Sequence, residues 1–592
     1  MWPFNYPYTN FHNLNLDWII TQIKYLGNRV DSLPGEMQEY VREYLSKYIK
    51  DGNIDVPAML NGYVNISAFN PTANGVTDDS AAFAEAVHFC NTYNVNLQCN
   101  PDERYYVASP VTENMLYSID GRGCTFVMGA ATNDEVTLFT LGSAGVNRYY
   151  NAADYTGGMF VPSELRNASF FLVSGDDLGE RGNNGYHKYA SRMIVTDPSG
   201  TMINGCLPFN MGVGWEAQNI RKRGEREINV KNINVEYGFR NSSYTFGLAN
   251  FIGNNGHAEN IHVFGQLTNP DIYTGAVVSF EHVTGCSAKN VDGENPTATP
   301  GSGYLLRFSG CDNVHIEDCA TNNGSVTSWG AMGANFLSNT LVERSYMNRI
   351  DCHYMAFDSF VIRDCVLEKV TLPEGGKGNI TIEDCTINAV SFSPIERRNE
   401  LSIAYNGMIS IVRCLVESPR ENHSIINYEF EDKAVTWGNS TDTALRIRLE
   451  QVHSRKCSYQ IYFDAHGRLN FAPTLEMIDC DINRATNNPD IRSDRNEALN
   501  IVVRGLRSTG SAYYLFGNNA SAKYLFDSCN FSDVRNQTVN VNEAVFSNCH
   551  LYGIYGTFTN LLVHGCVFNV SSPTYKATAV AGAANIPLAW NV

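Results

Sequence analysis

A chain of 592 residues exceeds what one ordinary globular core supports, so several domains or a repeat architecture is expected. Gly is plentiful (48), charged residues make up only 18%, and β-branched and aromatic residues are spread evenly, which suits many short strands and turns and excludes a mainly helical protein. The formal charge of −18, with no basic run, argues against nucleic acid or an anionic membrane as partner, and no stretch of 18 apolar residues predicts membrane insertion.

Residues 13–50 carry the one long helical pattern. Leu16, Ile19, Ile23, Leu26, Val30, Leu33, Met37, Tyr40 and Tyr44 alternate three and four apart, which is a heptad seam. Isoleucine at both kinds of core position leans towards three strands, and Pro34-Gly35 predicts a kink between two helices. An amphipathic hairpin packed on its own domain is the plainer alternative. The expected division is a helical attachment and trimerisation segment (1–55), a first-coil segment with a capping helix (56–130), a long β region with protruding loops (131–575), and a carboxy-terminal cap or trimer contact (576–592).

After a linker, residues 64–80 read as a strand, a turn and a helix opened by Thr77, Asp78 or Asp79, whose side chains can accept from the free N–H groups of the first turn. The helical pattern continues through Phe83, Val87 and Cys90. Phe69, Gly75, Thr77, Asp78, Asp79, Ala82 and Ala86 stand as in the opening pattern V-x-x-F-G-A-x-G-D-G-x-T-D-D-T-x-A-I-x-x-A of the pectate-lyase-like β-helix superfamily, which this stretch resembles. Asn70 replaces the usual glycine. The likeness continues into Tyr105-Tyr106-Val107 and Ser118-Ile-Asp-Gly-Arg-Gly123. It implies a mainly β fold, a right-handed parallel β-helix, and carries no catalytic information.

From about residue 220 a unit repeats: Asn313-Val-His-Ile316-Glu-Asp-Cys319, Phe360-Val-Ile362-Arg-Asp-Cys365, Ile380-Thr-Ile382-Glu-Asp-Cys385, Ile409-Ser-Ile411-Val-Arg-Cys414 and Leu475-Glu-Met477-Ile-Asp-Cys480. Later copies end at Cys529, Cys549 and Cys566. Neighbouring copies 17 to 20 residues apart (365 to 385, 529 to 549, 549 to 566) fit a one-dimensional stack of β coils. Longer intervals, such as 414 to 457, mark projecting loops, where a solenoid carries its binding surface. The 16 cysteines contain no CxxC pair and mostly recur inside this unit, so they read as small buried apolar residues.

Two segments pair an Asp with a His two places on: Asp351 with His353, and Asp464 with His466. Along a strand such a pair shares the outer face, with Cys352 or Ala465 pointing into the core. It can share a proton, bind a cation or hydrogen-bond a sugar. Glu343 and Arg344 are expected one coil away on the same surface, which makes Asp351, His353, Glu343, Asp464 and His466 the catalytic candidates. The plainer reading is a solvated outer face. A glycosidase needs two carboxylates about 5–10 Å apart, which adjacent coils can supply. Asp176, Asp177 and Glu180, in the Gly-rich run SGDDLGERGNNG, read as a solvated loop or a structural Ca²⁺ site; no other metal or cofactor is expected.

The amino terminus, Tyr6-Pro-Tyr-Thr-Asn-Phe11-His-Asn-Leu-Asn-Leu16-Asp-Trp18-Ile, resembles the opening of tail and preneck appendage proteins of small short-tailed phages of Gram-positive hosts. The resemblance implies that Phe4, Tyr8, Phe11 and Trp18 are aromatic anchors by which a homotrimeric spike docks on a phage tail or connector (collar) protein; a plain hydrophobic plug inside the trimer would explain them too. Met1-Trp2-Pro3-Phe4 lacks the basic and apolar regions of a leader, which fits release by lysis. The expected function is a virion tailspike or appendage, a receptor-binding protein acting at the host cell surface that recognises, and in an enzymatic version depolymerises, a host surface glycan. The alternatives are a non-enzymatic glycan-binding adhesin, a structural fibre, and a bacterial polysaccharide lyase or hydrolase not tied to a virion.

Overall fold

The computed structural model describes residues 62–568, apart from 132–135, 181–186, 208, 210, 212–213, 238–244, 265–274, 294–302, 322–329, 390–392, 398–402, 418–423, 431–441, 457–458, 484–490, 493–497, 509–512, 516–518, 531–533, 537–540, 552–553 and 556–557. The heptad seam, the aromatic anchors Phe4, Tyr8, Phe11 and Trp18, and the cap at 576–592 lie outside the described residues.

Among the described residues thirty-seven strands join in one sheet whose neighbours pair in parallel and advance one coil at a time. This is a right-handed parallel β-helix, and each coil has three faces. The first face is built from strands such as Asp312–Glu317, Gly375–Glu383 and Leu445–Glu450. The second follows after a sharp bend, as in Thr386–Asn388 and Leu415–Glu417. The third holds Ala276–Glu281, Tyr304–Ser309 and Ser424–Glu429.

The repeated unit explains the stack. Its central apolar residue forms an inner column in register: Ile316, Val342, Ile362, Ile382, Ile411, Leu449, Met477, Val503, Phe526 and Phe546. All ten are buried, and each buried aliphatic or aromatic side chain stabilises the fold by roughly 1.5–3 kcal/mol. On the third face Phe251, Phe280 and Phe308 stack with centroids 4.7 and 4.8 Å apart, one coil spacing. The residue before each cysteine, or before the Ser345, Val452 or Leu506 that stands in its place, turns the chain between the first two faces in the left-handed region: Asp318, Arg344, Asp364, Asp384, Arg413, Gln451, Asp479, Gly505, Ser528, Asn548 and Gly565 all have φ between 48° and 61°. Asp, Asn and Gly recur there because they tolerate that conformation best.

The cysteines follow this bend and point inward, as expected. Cys319, Cys365, Cys385, Cys414, Cys480, Cys529 and Cys549 are buried and unbridged. Leu415 pairs with His453, so Val452 takes the cysteine place on the coil after Cys414, and the 414-to-457 interval does not measure a coil. Ser345 fills the same place between Cys319 and Cys365, bonding to Cys319 N and Glu343 O.

The amino-proximal end is closed by helix α1 (Ser80–Tyr93), which buries Ala82, Phe83, Ala86, Val87 and Cys90. Phe83 meets Tyr105, Phe126 and Phe139 at 5.2, 5.0 and 5.9 Å, so it plugs the first coils. Asn70 has φ 52°, which accounts for the glycine of the related opening pattern at this place. Asp79 stands at the helix N-cap but makes no side-chain cap bond; its carboxylate instead accepts from Thr72 N and Ala73 N, closing the preceding turn. Asp78 takes the capping task, accepting from Ser80 N at 3.0 Å.

One element was not anticipated. Between the third-face strand Thr137–Leu141 and the first-face strand Ile228–Tyr237 the chain inserts a four-stranded antiparallel sheet, in the order His187–Val195, Ala168–Glu180, Trp215–Lys222, Val146–Tyr150. It has its own core of Phe160, Phe170, Leu172, Ile194 and Trp215, completed by Tyr354, Met355 and Phe357 of the β-helix. Asp177 lies in this sheet, exposed and opposite Tyr189, where a loop was expected; the side chains of Asp176 and Glu180 lie outside the described residues.

Candidate functional site

The strands Gly330–Glu343 and Tyr346–Arg363 run 14 and 18 residues without interruption. Tyr346–Arg363 therefore passes from the second face to the third with no loop, as does Val366–Leu372.

On the third face an outward column runs Ser279, Arg307, Gly333, Asp351, Thr371, Glu396, Asn427 and Tyr462. His353 lies two residues beyond Asp351, and Cys352 between them enters the core, as strand alternation requires. The pair is not a solvated surface: Asp351 is 2% and His353 9% exposed. Asp351 is gripped on both oxygens. Arg349 donates to Oδ1 at 2.7 Å, Tyr304 O–H donates to Oδ2 at 2.8 Å, and His353 Nε2 lies 3.1 Å from Oδ2. Tyr304 Oη is also 3.5 Å from His353 Nε2.

Tyr304 reaches across because its neighbour lacks a side chain. A Cβ on Gly333 would stand 2.5 Å from the Tyr304 ring. One coil on, Lys369 is buried and pairs with Glu396 at 2.5 Å. Burial pushes the Lys369 ammonium down, opposed by the Glu396 carboxylate. Burial also pushes Glu368 up, and its Oε2 is buried without a hydrogen-bond partner. The cluster thus combines an imidazole held by a carboxylate, a phenol and a fixed guanidinium, with the Lys369–Glu396 pair beside it. Such groups can hold a polar ligand or move protons.

Glu343 does not join this site. The bend at Arg344 places it on the first face, where it pairs with Glu317 and Arg363 in register. Burial pushes its carboxyl up, but Arg363, His315 and Arg344 outweigh that and hold it at about 2. His315, Glu317 and Glu343 bring ligand atoms within 4.8 Å of one another. Arg363 donates to Glu343 at 2.6 and 2.9 Å, Arg344 bonds Glu317, and Lys289 lies 3.3 Å from Glu317. These cations already balance the carboxylates, so the trio reads as a charge ladder and not as a cation site.

The second Asp–His pair differs from the first. Tyr462, not Asp464, continues the Asp351 column, so Asp464 stands in the place of His353. The strand Tyr459–Asp464 ends there, and His466 has φ 56° in a turn. Asp464 accepts from His466 N at 2.8 Å, and His466 Nε2 bonds Phe430 O at 3.1 Å. This pair shapes a turn, and alternation does not carry His466 onto the outer face.

Tyr304, Lys369 and Glu396 escaped sequence reasoning because coil register, not spacing, joins them to Asp351. Gly333 inside a strand was the available signal of a close approach.

No family model matches the chain, and no curated protein matches it. Among solved structures it is similar to the tailspike protein gp49 of Pseudomonas phage LKA1 (12% identity, 82% of each chain, TM-score 0.47). It is also similar to the Gp54 tailspike of Acinetobacter baumannii bacteriophage AP22, solved with A. baumannii capsular saccharide (11% identity, 86% of this chain and 80% of that, TM-score 0.45). A third is tailspike protein 3 of bacteriophage CBA120 (10% identity, 91% of this chain and 70% of that, TM-score 0.27).

Proposed function

We propose that the chain is a receptor-binding spike of a bacteriophage that recognises host surface polysaccharide on the third face of its β-helix, around Tyr304, Arg349, Asp351 and His353. The observation that carries this reading is the cluster itself. A buried carboxylate with three side-chain partners recurs on neither neighbouring rung of its column, where Gly333 and Thr371 stand, and Asp351 lies within one unbroken strand, Tyr346–Arg363. A stack that needed only stability would be served by the threonine, asparagine and serine found elsewhere in that column.

The virion and the tail or connector partner enter through the amino-terminal resemblance, and the trimer through the heptad pattern of residues 13–50 and the packing of β-helices. Parallel β-helices can pack side by side, and the short heptad seam adds to that contact. In the enzymatic version His353, oriented by Asp351, exchanges the proton, with Tyr304 as a further donor. The saturation of Asp351 by Arg349, Tyr304 and His353 favours a second reading, in which the cluster is a rigid adhesin surface without turnover.

The test is size reduction and reducing-end release from purified host surface polysaccharide, comparing the intact protein with Asp351→Asn plus His353→Ala. Shortening by the intact protein alone establishes a depolymerase. Binding without shortening establishes the adhesin, and absence of binding overturns the proposal.

A further inference from the structure

A cavity of about 420 Å³ opens between the coils that contain Leu445–Glu450 and Thr474–Ile478, lined by Thr443, Arg446, Asn470, Phe471 and Thr474. It lies where the third face turns back to the first. Asp351 is separated from this level by the coils of Thr371 and Glu396, and the cavity sits between those of Asn427 and Tyr462. At about 4.8 Å per coil that is roughly 15–20 Å along the axis. The cavity is therefore distinct from the Asp351 cluster.

The second Asp–His pair finds its purpose here. The turn that follows Asp464 is held at its start: Ala465 is buried in the core, and His466 ties the turn to the preceding coil through Phe430 O. Arg468 N bonds back to Ala465 O at 3.2 Å, so the turn delivers Asn470 and Phe471 to the cavity from a fixed base. Phe471 packs partly against the core while lining the cavity, so one part of its ring is anchored and another is offered. Arg446 is half-exposed and only loosely paired with Glu476, at 3.6 Å.

We propose that this cavity is a second glycan subsite that takes one or two sugar units. The inference rests on the glycan-recognition reading above and adds a place to it. The chemistry matches a saccharide: a ring face for the apolar side of a pyranose, and planar amide and guanidinium groups plus two hydroxyls for its alcohols. Arg446, Asn470 and the two threonines offer polar groups that an alcohol-rich ligand can bond and an entirely apolar one cannot use. Occupation of both places lets one glycan strand lie along the helix axis, and the two contacts then multiply through effective concentration.

The experiment is an array of purified bacterial capsular and cell-wall oligosaccharides of four to eight sugars, probed with the full chain and with Phe471→Leu, Arg446→Ala and Asn470→Ala. Phe471→Leu retains the buried hydrocarbon and removes the ring face, so the fold is preserved, as unchanged thermal unfolding would verify. The expected result is at least ten-fold weaker binding of the longer oligosaccharides by each variant, with binding of the shortest ones less affected. Unchanged binding by all three variants overturns the subsite and leaves the recognition reading standing. No binding by the intact chain to any oligosaccharide overturns both.

Discussion

Arg192 and Asp358, 166 residues apart in the chain, form an ion pair of 2.8 Å that locks the inserted sheet to the β-helix. Arg192 is fully buried; it also donates to Cys206 O at 2.8 Å and to Asn204 O at 2.5 Å, and lies 4.9 Å over the Phe357 ring. Gly205 leaves room for the Asp358 carboxylate, which would overlap any Cβ there. Removing one partner strands the other charge, which costs about 3–5 kcal/mol when the pair is buried. Asp358→Ala is therefore expected to destabilise the inserted sheet by about 3 kcal/mol, the low end because Asp358 keeps some exposure. Limited proteolysis should open the 142–227 segment first. The paired change Arg192→Met with Asp358→Leu should recover much of the loss, and equal damage by single and double variants would show that the charge pair is not the lock.

The same interface carries a pH dependence. His282 stacks on Phe171 at 4.1 Å and contacts Asn219 Nδ2 at 2.8 Å, while Arg221 donates to its carbonyl. Burial, then the Arg221 charge, pushes His282 down from 6.5 to about 4. The folded state thus prefers the neutral ring. Its stabilising share is complete above the unfolded pKa near 6.5, falls as pH drops, and is gone below about 4. The shift corresponds to about 3 kcal/mol at most. Asp312 and Glu225, pushed up by burial, titrate in the opposite sense, so the comparison must be with His282→Asn. Denaturant midpoints between pH 7 and pH 4 should fall more steeply for the wild type than for the variant; parallel curves would remove His282 from the account.

Much of this architecture was legible because a solenoid repeats its physics. The run Ile382-Glu-Asp384-Cys385 encodes an inward apolar residue, a left-handed bend and an inward thiol, and each recurs at its own place in the stack. What depended on pairing across distance was not legible. The inserted sheet joins Val146–Tyr150 to Trp215–Lys222 across a stretch without repeat or hairpin signature. Glu343 looked close to Asp351 in sequence, but the bend at Arg344 sends them to different faces. His466 matched His353 in spacing alone, since the strand ends two residues earlier.

Tyr304 and Gly333 give a graded test of the candidate site. Tyr304→Phe removes only the hydroxyl that donates to Asp351, and one such bond to a charged group contributes about 1.5–3 kcal/mol. Gly333→Ala places a methyl group against the ring and should displace the whole side chain, costing about 1–3 kcal/mol by overpacking. If Tyr304 serves the site through that hydroxyl, both variants should lose glycan turnover or affinity to a similar degree, and the double variant should add little. Additive losses in calorimetry and binding would show that the two residues act separately.

The cysteine column makes a chemical prediction. Burial pushes the Cys319 thiol up to about 12, so its thiolate is scarce at neutral pH and out of reach of reagent. Cys90 and Cys352 are pushed upward for the same reason. Cys206 is the one exposed thiol among the described residues. Pulse labelling of the native protein with iodoacetamide at pH 8, read by peptide mass spectrometry, should modify Cys206 within minutes. Cys319, Cys352, Cys365, Cys385 and Cys414 should react only after denaturant unfolds the stack. Because Val452 already occupies this column, Cys414→Val should cost less than about 1.5 kcal/mol, whereas Cys414→Asp places a bare charge between two packed coils and should prevent folding. Rapid native labelling along the column would mean that the coils breathe open, and the rigid platform inferred for Asp351 and His353 would fall with it.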